Sequence, residues 1–456
     1  MASPSPDPLS LHCAARSHPD ALALVAGGQM WSFSRLWQEV EPFYDAFRSS
    51  LRVSKHLVAL TATNRVETVR ILYALLEAKI PTVLLHPRLT VNEHLYCLSD
   101  SVPDVLIWDN QLGVAPPYVA ACARDYSLPR GTAFVVYTSG TSGRPKGAIL
   151  TRKNLVMSAK SSATNLGFEP RDRWGCCLPI CHVGGLSVLT RCLIARKPVV
   201  LMERFRSETV VDAIQRDGVT LLSLVPAMLT LLLQNGHQKP LRMLRAVLLG
   251  GAPTPDKLLE ECVKLKIKAL PTYGMTEVCS QIATWSPAEP VPLPVRQVGC
   301  GRPLPGIEVR IAGNESEGEI QVRGPMVFKG YLRQPRRSSR DWFATGDVGR
   351  WDGSNRLIVL ARRADLILVG GENVYPAEVE QTLSDCLGVK TLMVYGIPDP
   401  VLGQVVAADV VFDDHFDMDE FRRYSEQTLA KYKRPQKVRL VHELPVGTTG
   451  KPIRPR

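Results

Sequence analysis

The sequence lacks any unbroken apolar run of the length a bilayer demands, which is about 20 residues. Its longest such stretch, Val219–Leu233, is interrupted by Ser223, Pro226 and Thr230. It also lacks a C-x-x-C pair: eleven cysteines, an odd number, are scattered along the chain. That argues against a disulfide framework and for reduced, mostly buried thiols. The tightest group, Cys176, Cys177 and Cys181 followed by His182, matches no zinc-ligand spacing. The start, Met1 to Pro8, has neither the basic region nor the apolar core of a signal peptide. A cytoplasmic location is the expectation. No internal repeat and no low-complexity tract stands out.

What is present is an ordinary globular balance, 45% hydrophobic and 22% charged, which excludes the disordered and membrane classes. At 456 residues the chain exceeds one compact core, so two or three domains are expected. The net charge of +11 favours anionic partners: nucleic acid, an anionic membrane surface or a polyphosphate substrate. Charge alone does not choose among them.

Three textures follow one another. Before about residue 130, helical patterns mix with short apolar strands. Val69, Leu72, Leu75 and Leu76 predict a helix over Glu67–Ala78, and His56–Ala62 and Ile80–Leu85 read as strands. From Phe134 to Arg310, apolar runs at Phe134–Tyr137, Pro198–Met202, Thr220–Val225 and Ala246–Leu249 alternate with helix-like segments. This is the pattern of an α/β domain with largely parallel sheets. Pro226 suits the first turn of a helix that follows a strand. Then Glu317–Arg323, Val348–Asp352 and Leu357–Leu360 read as short antiparallel strands. Beyond Arg362 lies a segment with its own strands, Leu392–Ile397 and Val405–Val411, and a helix around Asp417–Lys431. A hinge near Arg362 is expected, dividing a large domain, 1–361, from a small mobile one, 362–456.

The most informative stretch is Tyr137-Thr-Ser-Gly-Thr-Ser-Gly-Arg-Pro-Lys-Gly147, at the end of a predicted strand. Four Ser or Thr residues, three glycines and two cations occupy eleven positions. Glycines let backbone N–H groups close on an anion, hydroxyls add donors and Lys146 adds a point charge. It is not a Walker A loop, because Arg144 and Pro145 separate Gly143 from Lys146. This string closely resembles the signature loop of the adenylate-forming superfamily, which includes acyl- and aryl-CoA synthetases, peptide-synthetase adenylation domains and firefly luciferase. Five further segments resemble that superfamily's motifs in order, so the likeness covers nearly the whole chain.

The resemblance implies the following roles. Thr138, Ser139, Gly140, Thr141, Ser142, Gly143 and Lys146 would hold the phosphates of ATP. Gly250, Gly251, Ala252 and Pro253 would lie against adenine. In Pro271-Thr-Tyr-Gly-Met-Thr-Glu277, Tyr273 and Gly274 would flank the base, Thr276 would bond the α-phosphate and Glu277 would hold Mg²⁺, a hard cation that wants oxygen. Asp347, within Thr345-Gly-Asp347, would grip the ribose with Arg362. The superfamily usually places an acid or Lys two residues after that arginine, whereas Ala364 stands here with Asp365 next. The pivot residue is therefore open. Gly370, Gly371, Glu372 and Asn373 would line the channel for the thiol of coenzyme A, and Lys451, in Pro445-Val-Gly-Thr-Thr-Gly-Lys451, would be the lysine of the adenylation step. The implied fold is α/β: a large domain of stacked sheets and helices with a β-barrel-like subdomain, and a small mobile α+β domain.

Within the superfamily, Leu178-Pro-Ile-Cys-His-Val-Gly-Gly-Leu-Ser187 and Tyr273-Gly-Met-Thr-Glu-Val-Cys-Ser-Gln-Ile282 are most similar to the ligases of menaquinone and phylloquinone synthesis, whose acid is 2-succinylbenzoate. The implied activity is ATP-dependent formation of an acyl-AMP, then transfer of the acyl group to coenzyme A. His182 would sit at the entrance to the acid pocket, with Gly185, Ser280 and Gln281 in its wall. The unreacted second carboxylate calls for a cation. Arg191 is the candidate, against the reading that makes it a surface cation on a helix. Another aryl- or acyl-CoA ligase is the alternative. A more remote one is a nucleic-acid-binding protein using Lys431, Lys433, Arg434, Lys437 and Arg439, although no nucleic-acid motif is present.

Overall fold

The computed structural model describes residues 7–52, 56–89, 91–108, 111–114, 125–138, 145–291, 299–313, 317–362, 365–369, 372–399, 402–429, 431–445 and 454–455. The chain divides into two compact units. One comprises Met1–Val295, Cys300–Glu308 and Arg323–Phe343; the other comprises Arg296–Gly299, Val309–Val322 and Ala344–Arg456. No helix among the described residues is long and apolar enough to cross a membrane.

The first unit contains two large sheets. In the six-stranded sheet the order is Gln111–Val114, Val105–Trp108, Val58–Thr61, Thr82–Leu85, Thr132–Thr138, Lys146–Thr151. The inner four are parallel, and each edge strand is antiparallel to its neighbour. In the nine-stranded sheet the order is Arg302–Pro303, Ser280–Thr284, Ala269–Met275, Ala246–Leu249, Leu221–Leu224, Trp174–Cys176, Val199–Leu201, Leu22–Ala26, Gln29–Ser32. Again the interior is parallel and the edges antiparallel. Val58–Thr61, Thr82–Leu85, Leu221–Leu224 and Ala246–Leu249 are buried at every position. Such continuous apolar runs are what a sheet covered on both faces requires.

Local sequence explains the connections. The helix Val66–Glu77 turns Val69, Leu72, Leu75 and Leu76 into the core, as their spacing predicts. The helix Pro226–Gln234 begins at its proline, whose missing N–H would have no helical partner there. Thr151 and Asn154 form a reciprocal capping box at the start of the helix Arg152–Leu166, which stops at Gly167 with φ +59°. Each helix returns the chain to the start of the next parallel strand, so the carboxyl ends of those strands share one edge of each sheet.

The second unit holds a four-stranded sheet, Glu308–Gly313, Gly318–Arg323, Phe343–Trp351, Leu357–Arg362, in the region expected to be barrel-like. It also holds a five-stranded sheet of Glu372–Val374, Ile367–Val369, Gly403–Phe412 and Val389–Asp399, with Lys437–Val441 pairing parallel to Gly403–Phe412. The helices Pro376–Leu383 and Met418–Thr428 contribute Val379, Leu383 and Phe421 to a core with Ile367, Val394, Val406 and Val410.

The parallel interior of the nine-stranded sheet is pinned at its amino edge. Asp172, 2% exposed, accepts from Arg245 Nε at 3.0 Å and Nη2 at 2.6 Å, from the Thr220 hydroxyl at 2.7 Å and from the Glu169 N–H at 2.8 Å. Asp172, Thr220 and Arg245 immediately precede or nearly precede three neighbouring strands. Burial alone would raise the Asp172 carboxyl. The Arg245 guanidinium, the Glu169 N–H and the Thr220 hydroxyl outweigh it and hold the group below its ordinary value. This depressed carboxyl contributes stability in full above the unfolded-state value, about 3.9, and loses it as pH falls through the lower folded value. Asp172→Asn is expected to destabilise this unit by about 1–3 kcal/mol, since it takes the two-point carboxylate partner from the half-buried Arg245 guanidinium and leaves it only Glu169, at 3.7 Å, as a carboxylate partner among the described residues. Urea unfolding followed by tryptophan fluorescence measures this. A midpoint unchanged at neutral pH would show that Asp172 does not pin the sheet.

Candidate functional site

The predicted phosphate loop is held by a hairpin. Thr138, the last residue of one strand, lies opposite Lys146, the first of the next, in the antiparallel pair at the edge of the six-stranded sheet. Ser139, Gly140, Thr141, Ser142 and Gly143 lie outside the described residues. Gly147 has no room for a side chain, because a Cβ there would come within 2.8 Å of Leu332 Cδ1 and 2.9 Å of Val135 Cγ1. The segment against it carries Tyr331, whose ring centroid is 5.6 Å from Lys146 Nζ.

Beyond the strand Ala269–Met275 the chain makes a short turn, Thr276–Val278, and reverses into Ser280–Thr284. The reversal uses left-handed Cys279, φ +55°, and Ser280, φ +111°. Gly274 must be glycine: a Cβ would lie 1.6 Å from the Ser280 carbonyl oxygen. Tyr273 is buried, Thr276 half-buried, and Glu277 is 5% exposed. The Tyr331 hydroxyl donates to Glu277 Oε1 at 2.7 Å. Burial first, then the Glu277 charge, push the Tyr331 hydroxyl well above its ordinary range, so it remains a proton donor. A carboxylate so presented offers the hard oxygen donors that Mg²⁺ takes, and the residues fit that ion. One strand over, Gly250 follows Ala246–Leu249, and its N–H donates to the Leu224 carbonyl at 3.2 Å. Gly251 takes φ +83°, so Gly250, Gly251, Ala252 and Pro253 form a turn on the same edge as Thr276 and Glu277.

The expected acid-pocket residues gather around the helix Val183–Ala195, whose N-cap is His182. Gly185 sits where a Cβ would meet the carbonyl oxygens of Leu178 at 2.4 Å and Pro179 at 2.5 Å. Arg191 is not the surface cation that a helical position allows. It is 2% exposed, with its guanidinium carbon 5.6 Å from the Trp174 ring centroid. Its Nε and Nη2 have no hydrogen-bond partner among the described residues. Burial pulls it down to about 10, which leaves it a cation at neutral pH. The thiols beside it offer no counter-charge: burial pushes Cys192 and Cys279 well above their ordinary value. Gln281, 1% exposed, donates from Nε2 to the Thr284 hydroxyl at 2.8 Å, while its Oε1 has no partner among the described residues. Ser280 is half-buried beside it.

Spacing missed a neighbour of His182. His86 packs against it, ring centroids 5.2 Å apart, and His86, Cys181 and His182 bring possible ligand atoms within 4.8 Å of one another. Cys176 and Cys177 do not join them. The chemistry fits a metal poorly. His86 Nδ1 accepts the Arg88 N–H at 3.0 Å, so the neutral ring carries its proton on Nε2, the atom a cation would need. Burial and Arg88 push His86 down to about 4, and burial holds the Cys181 thiol up to about 12. No sequence pattern announces His86, which comes from a different sheet connection, or Tyr331, a single tyrosine after Gly330.

In the second unit, Asp347 and Arg362 are cross-strand partners in register. The ribose motif is thus part of the strand Phe343–Trp351, and not a surface turn. Asp347 is 9% exposed and its N–H donates to the Thr345 hydroxyl at 3.1 Å. Gly370, Gly371, Ala364 and Lys451 lie outside the described residues. Glu372 and Asn373 form a strand with Val374, and Glu372 pairs with Val369. Asp365 and Glu380 receive Arg454, at 3.5 and 2.7 Å. Three of the five cations of the basic run already have partners inside the unit: Lys433 on Glu378, Arg434 on the Leu429 carbonyl, and Arg439 on buried Asp409.

Comparison with known proteins gives a consistent result. Residues 11–332 match the AMP-binding enzyme family, and residues 378–451 match the AMP-binding enzyme C-terminal domain. A 2-succinylbenzoate–CoA ligase of Bacillus licheniformis is 36% identical over 464 residues, covering 96% of each chain. Among solved structures, o-succinylbenzoate CoA synthetase (MenE) from Bacillus subtilis in complex with the acyl-adenylate intermediate OSB-AMP superposes with a TM-score of 0.87. It is 34% identical, covering 98% of this chain and 97% of that one. The same enzyme with ATP and magnesium ion gives 0.84 at 34% identity, covering 97% of both.

Two adjacent glycines separate a required close approach from a dispensable one. A Cβ on Gly184 meets only the flexible Leu178 Cδ1, at 3.1 Å. Gly184→Ala is therefore expected to be neutral or to stabilise by up to about 1 kcal/mol through helix propensity. Gly185→Ala drives a methyl into two backbone carbonyls and should destabilise by about 1–3 kcal/mol or more. Thermal melts of the two variants check the pair; equal melting temperatures would contradict the packing described.

Proposed function

The chain belongs to the AMP-binding enzyme family, and on that footing we propose that it activates 2-succinylbenzoate with ATP and transfers the acyl group to coenzyme A, an acid–thiol ligation serving menaquinone or phylloquinone synthesis. The observation that carries the choice of acid is Arg191. A guanidinium whose Nε and Nη2 have no partner among the described residues, buried beside protonated thiols, is costly unless an anion completes it. The second carboxylate of a dicarboxylic acid supplies that anion, and a simple benzoate or fatty acid does not.

A carboxylate is a poor acylating agent because its oxygen leaves badly. In the first half-reaction an oxygen of the acid forms a bond to the α-phosphorus of ATP, and the bond from that phosphorus to pyrophosphate breaks. In the second, the thiol sulfur of coenzyme A bonds to the acyl carbon, AMP departs with the electron pair, and the thiol proton goes to solvent. Positioning and electrostatic stabilisation do most of the work. When bound, Mg²⁺ neutralises charge on the phosphates.

The chain's own residues divide the remaining tasks. Thr138 to Gly143 and Lys146 take the phosphates; Gly250 to Pro253, Tyr273 and Gly274 take adenine; Asp347 with Arg362 takes the ribose. Thr276 bonds the α-phosphate, Glu277 holds the cation, and Lys451 stabilises charge in the adenylation step. Gly370 to Asn373 serve the thiol. His182 stands at the mouth of the acid pocket, lined by Gly185, Ser280, Gln281 and Arg191. The boundary near Arg362 separates the domain that carries Lys451, and the reaction takes place in the cytoplasm.

The test is acid-dependent exchange of labelled pyrophosphate into ATP across a panel of acids. 2-Succinylbenzoate should lead benzoates and fatty acids, and equal rates for all would overturn the substrate. Arg191→Gln should lower kcat/KM for 2-succinylbenzoate about a hundredfold or more, the scale of truncating one partner of a buried charge pair, while leaving the weak turnover of benzoate nearly unchanged. A uniform loss for every acid would remove Arg191 from the pocket.

A further inference from the structure

We propose that Tyr331 is a positioning residue that orients the Glu277 carboxylate for the divalent cation and locks it to the phosphate-binding hairpin. This rests on the reading that Glu277 holds Mg²⁺. Nothing in the adenylate chemistry above uses Tyr331, yet it touches both parts of that chemistry that the described residues contain. Its hydroxyl is 2.7 Å from Glu277 Oε1 and its ring is 5.6 Å from Lys146 Nζ.

The backbone around Tyr331 fixes where that hydroxyl stands. Leu332 N–H donates to the Gly147 carbonyl at 2.8 Å, Lys329 N–H to Ile149 at 3.1 Å, and Ile149 N–H to Gly330 at 3.0 Å. Ala148 and Tyr331 form an antiparallel bridge, so this segment runs as a further partner of the strand Lys146–Thr151. On the other side, Phe328 N–H donates to the Glu277 carbonyl at 2.7 Å. The Asn154 side-chain amide holds the Val327 carbonyl at 2.9 Å. The phenol is thus carried on a segment hydrogen-bonded both to the hairpin and to Glu277 itself. Phe328 and Phe343 pack edge-on beneath it, with centroids 4.8 Å and 5.0 Å from their neighbours in the chain Tyr331–Phe328–Phe343.

That geometry has a chemical consequence. A carboxylate has about four lone-pair directions, and the phenol bonds Oε1 at 2.7 Å, which fixes the plane in which the carboxylate can meet a cation. Partners of this kind set the orientation of metal-binding side chains, and their removal typically weakens metal affinity about 10–100-fold. The Lys146 ammonium over the ring face adds a cation–π contact. The ammonium that reaches for phosphate and the carboxylate that reaches for the metal are therefore referenced to one ring.

Tyr331→Phe removes only the hydroxyl and keeps the ring beneath Lys146. In the protein with ATP bound, direct Mn²⁺ binding read by electron paramagnetic resonance is expected to weaken about tenfold or more. The Mg²⁺ concentration for half-maximal pyrophosphate exchange should rise by the same factor. The KM for the acid and the rate from preformed acyl-AMP with coenzyme A should stay at their wild-type values, while thermal stability falls by no more than one lost hydrogen bond accounts for. Unchanged Mn²⁺ affinity in Tyr331→Phe, whatever its activity, makes Tyr331 structural only and overturns the proposal. Glu277→Gln is measured alongside. If it weakens Mn²⁺ binding and Tyr331→Phe does not, this inference fails alone. If neither variant weakens it, the assignment of Glu277 to the cation fails as well.

Discussion

Parallel strands joined through helices must finish on a common edge, and the site of this protein depends on that constraint. The carboxyl ends of Leu221–Leu224, Ala246–Leu249 and Ala269–Met275 are neighbours in one sheet. Gly250 and the Thr276–Glu277 turn leave the chain where those strands stop. At the opposite edge Asp172, Thr220 and Arg245 join the beginnings of the same set. The amino edge is closed by buried, mutually satisfied polar groups, while the carboxyl edge is built from turns. In open α/β sheets ligands bind beyond the carboxyl ends, because backbone groups there are not consumed by the next turn of helix. Rigidity and chemistry thus occupy opposite ends of the same strands.

Glycine enters where backbone must touch backbone. Gly274 faces the Ser280 carbonyl, and Gly185 faces those of Leu178 and Pro179. Each contact sets the position of a candidate site residue: the first closes the turn that holds Thr276 and Glu277, the second seats the helix that carries Arg191. A methyl at either point would displace an element by more than the tolerance of a hydrogen bond. These two glycines therefore act on the site through geometry and need no contact with a ligand.

Much of this was legible beforehand, and the boundary of legibility has a physical cause. The parallel strands were visible because burial on both faces leaves an uninterrupted apolar run, as in Ala246–Leu249. The helix Val66–Glu77 was visible through its period. The phosphate string, the Thr276–Glu277 turn and Asp347 could be named from sequence because each candidate motif is confined to a few consecutive residues. Sequence did not reveal contacts between distant segments. Arg191 was named as the candidate for the second carboxylate, but the chain alone could not separate that reading from a surface cation, since nothing along it records that the helix Val183–Ala195 is buried around it. His86 reaches His182 across different strand connections, and Tyr331 reaches Glu277 through a bridge to the hairpin. The pairing of Asp347 with Arg362 occupied a middle position: both were named, but their register as cross-strand partners belongs to the sheet.

The polar groups of the candidate site fall into two kinds. Glu277 already receives Tyr331, and Asp347 lies in a strand whose N–H is bonded to Thr345. These groups have orientations set by the protein. Arg191 Nε and Nη2 and Gln281 Oε1 are buried without partners among the described residues. Leaving such atoms unsatisfied costs about 1–3 kcal/mol each, and more for a charged group. Two N–H donors on a fixed cation call for a carboxylate; a lone amide oxygen calls for a donor. On the proposed reading, an acid that lacks the second carboxylate would leave Arg191 unrelieved, and a site built this way would reject it through the group the described residues do not satisfy.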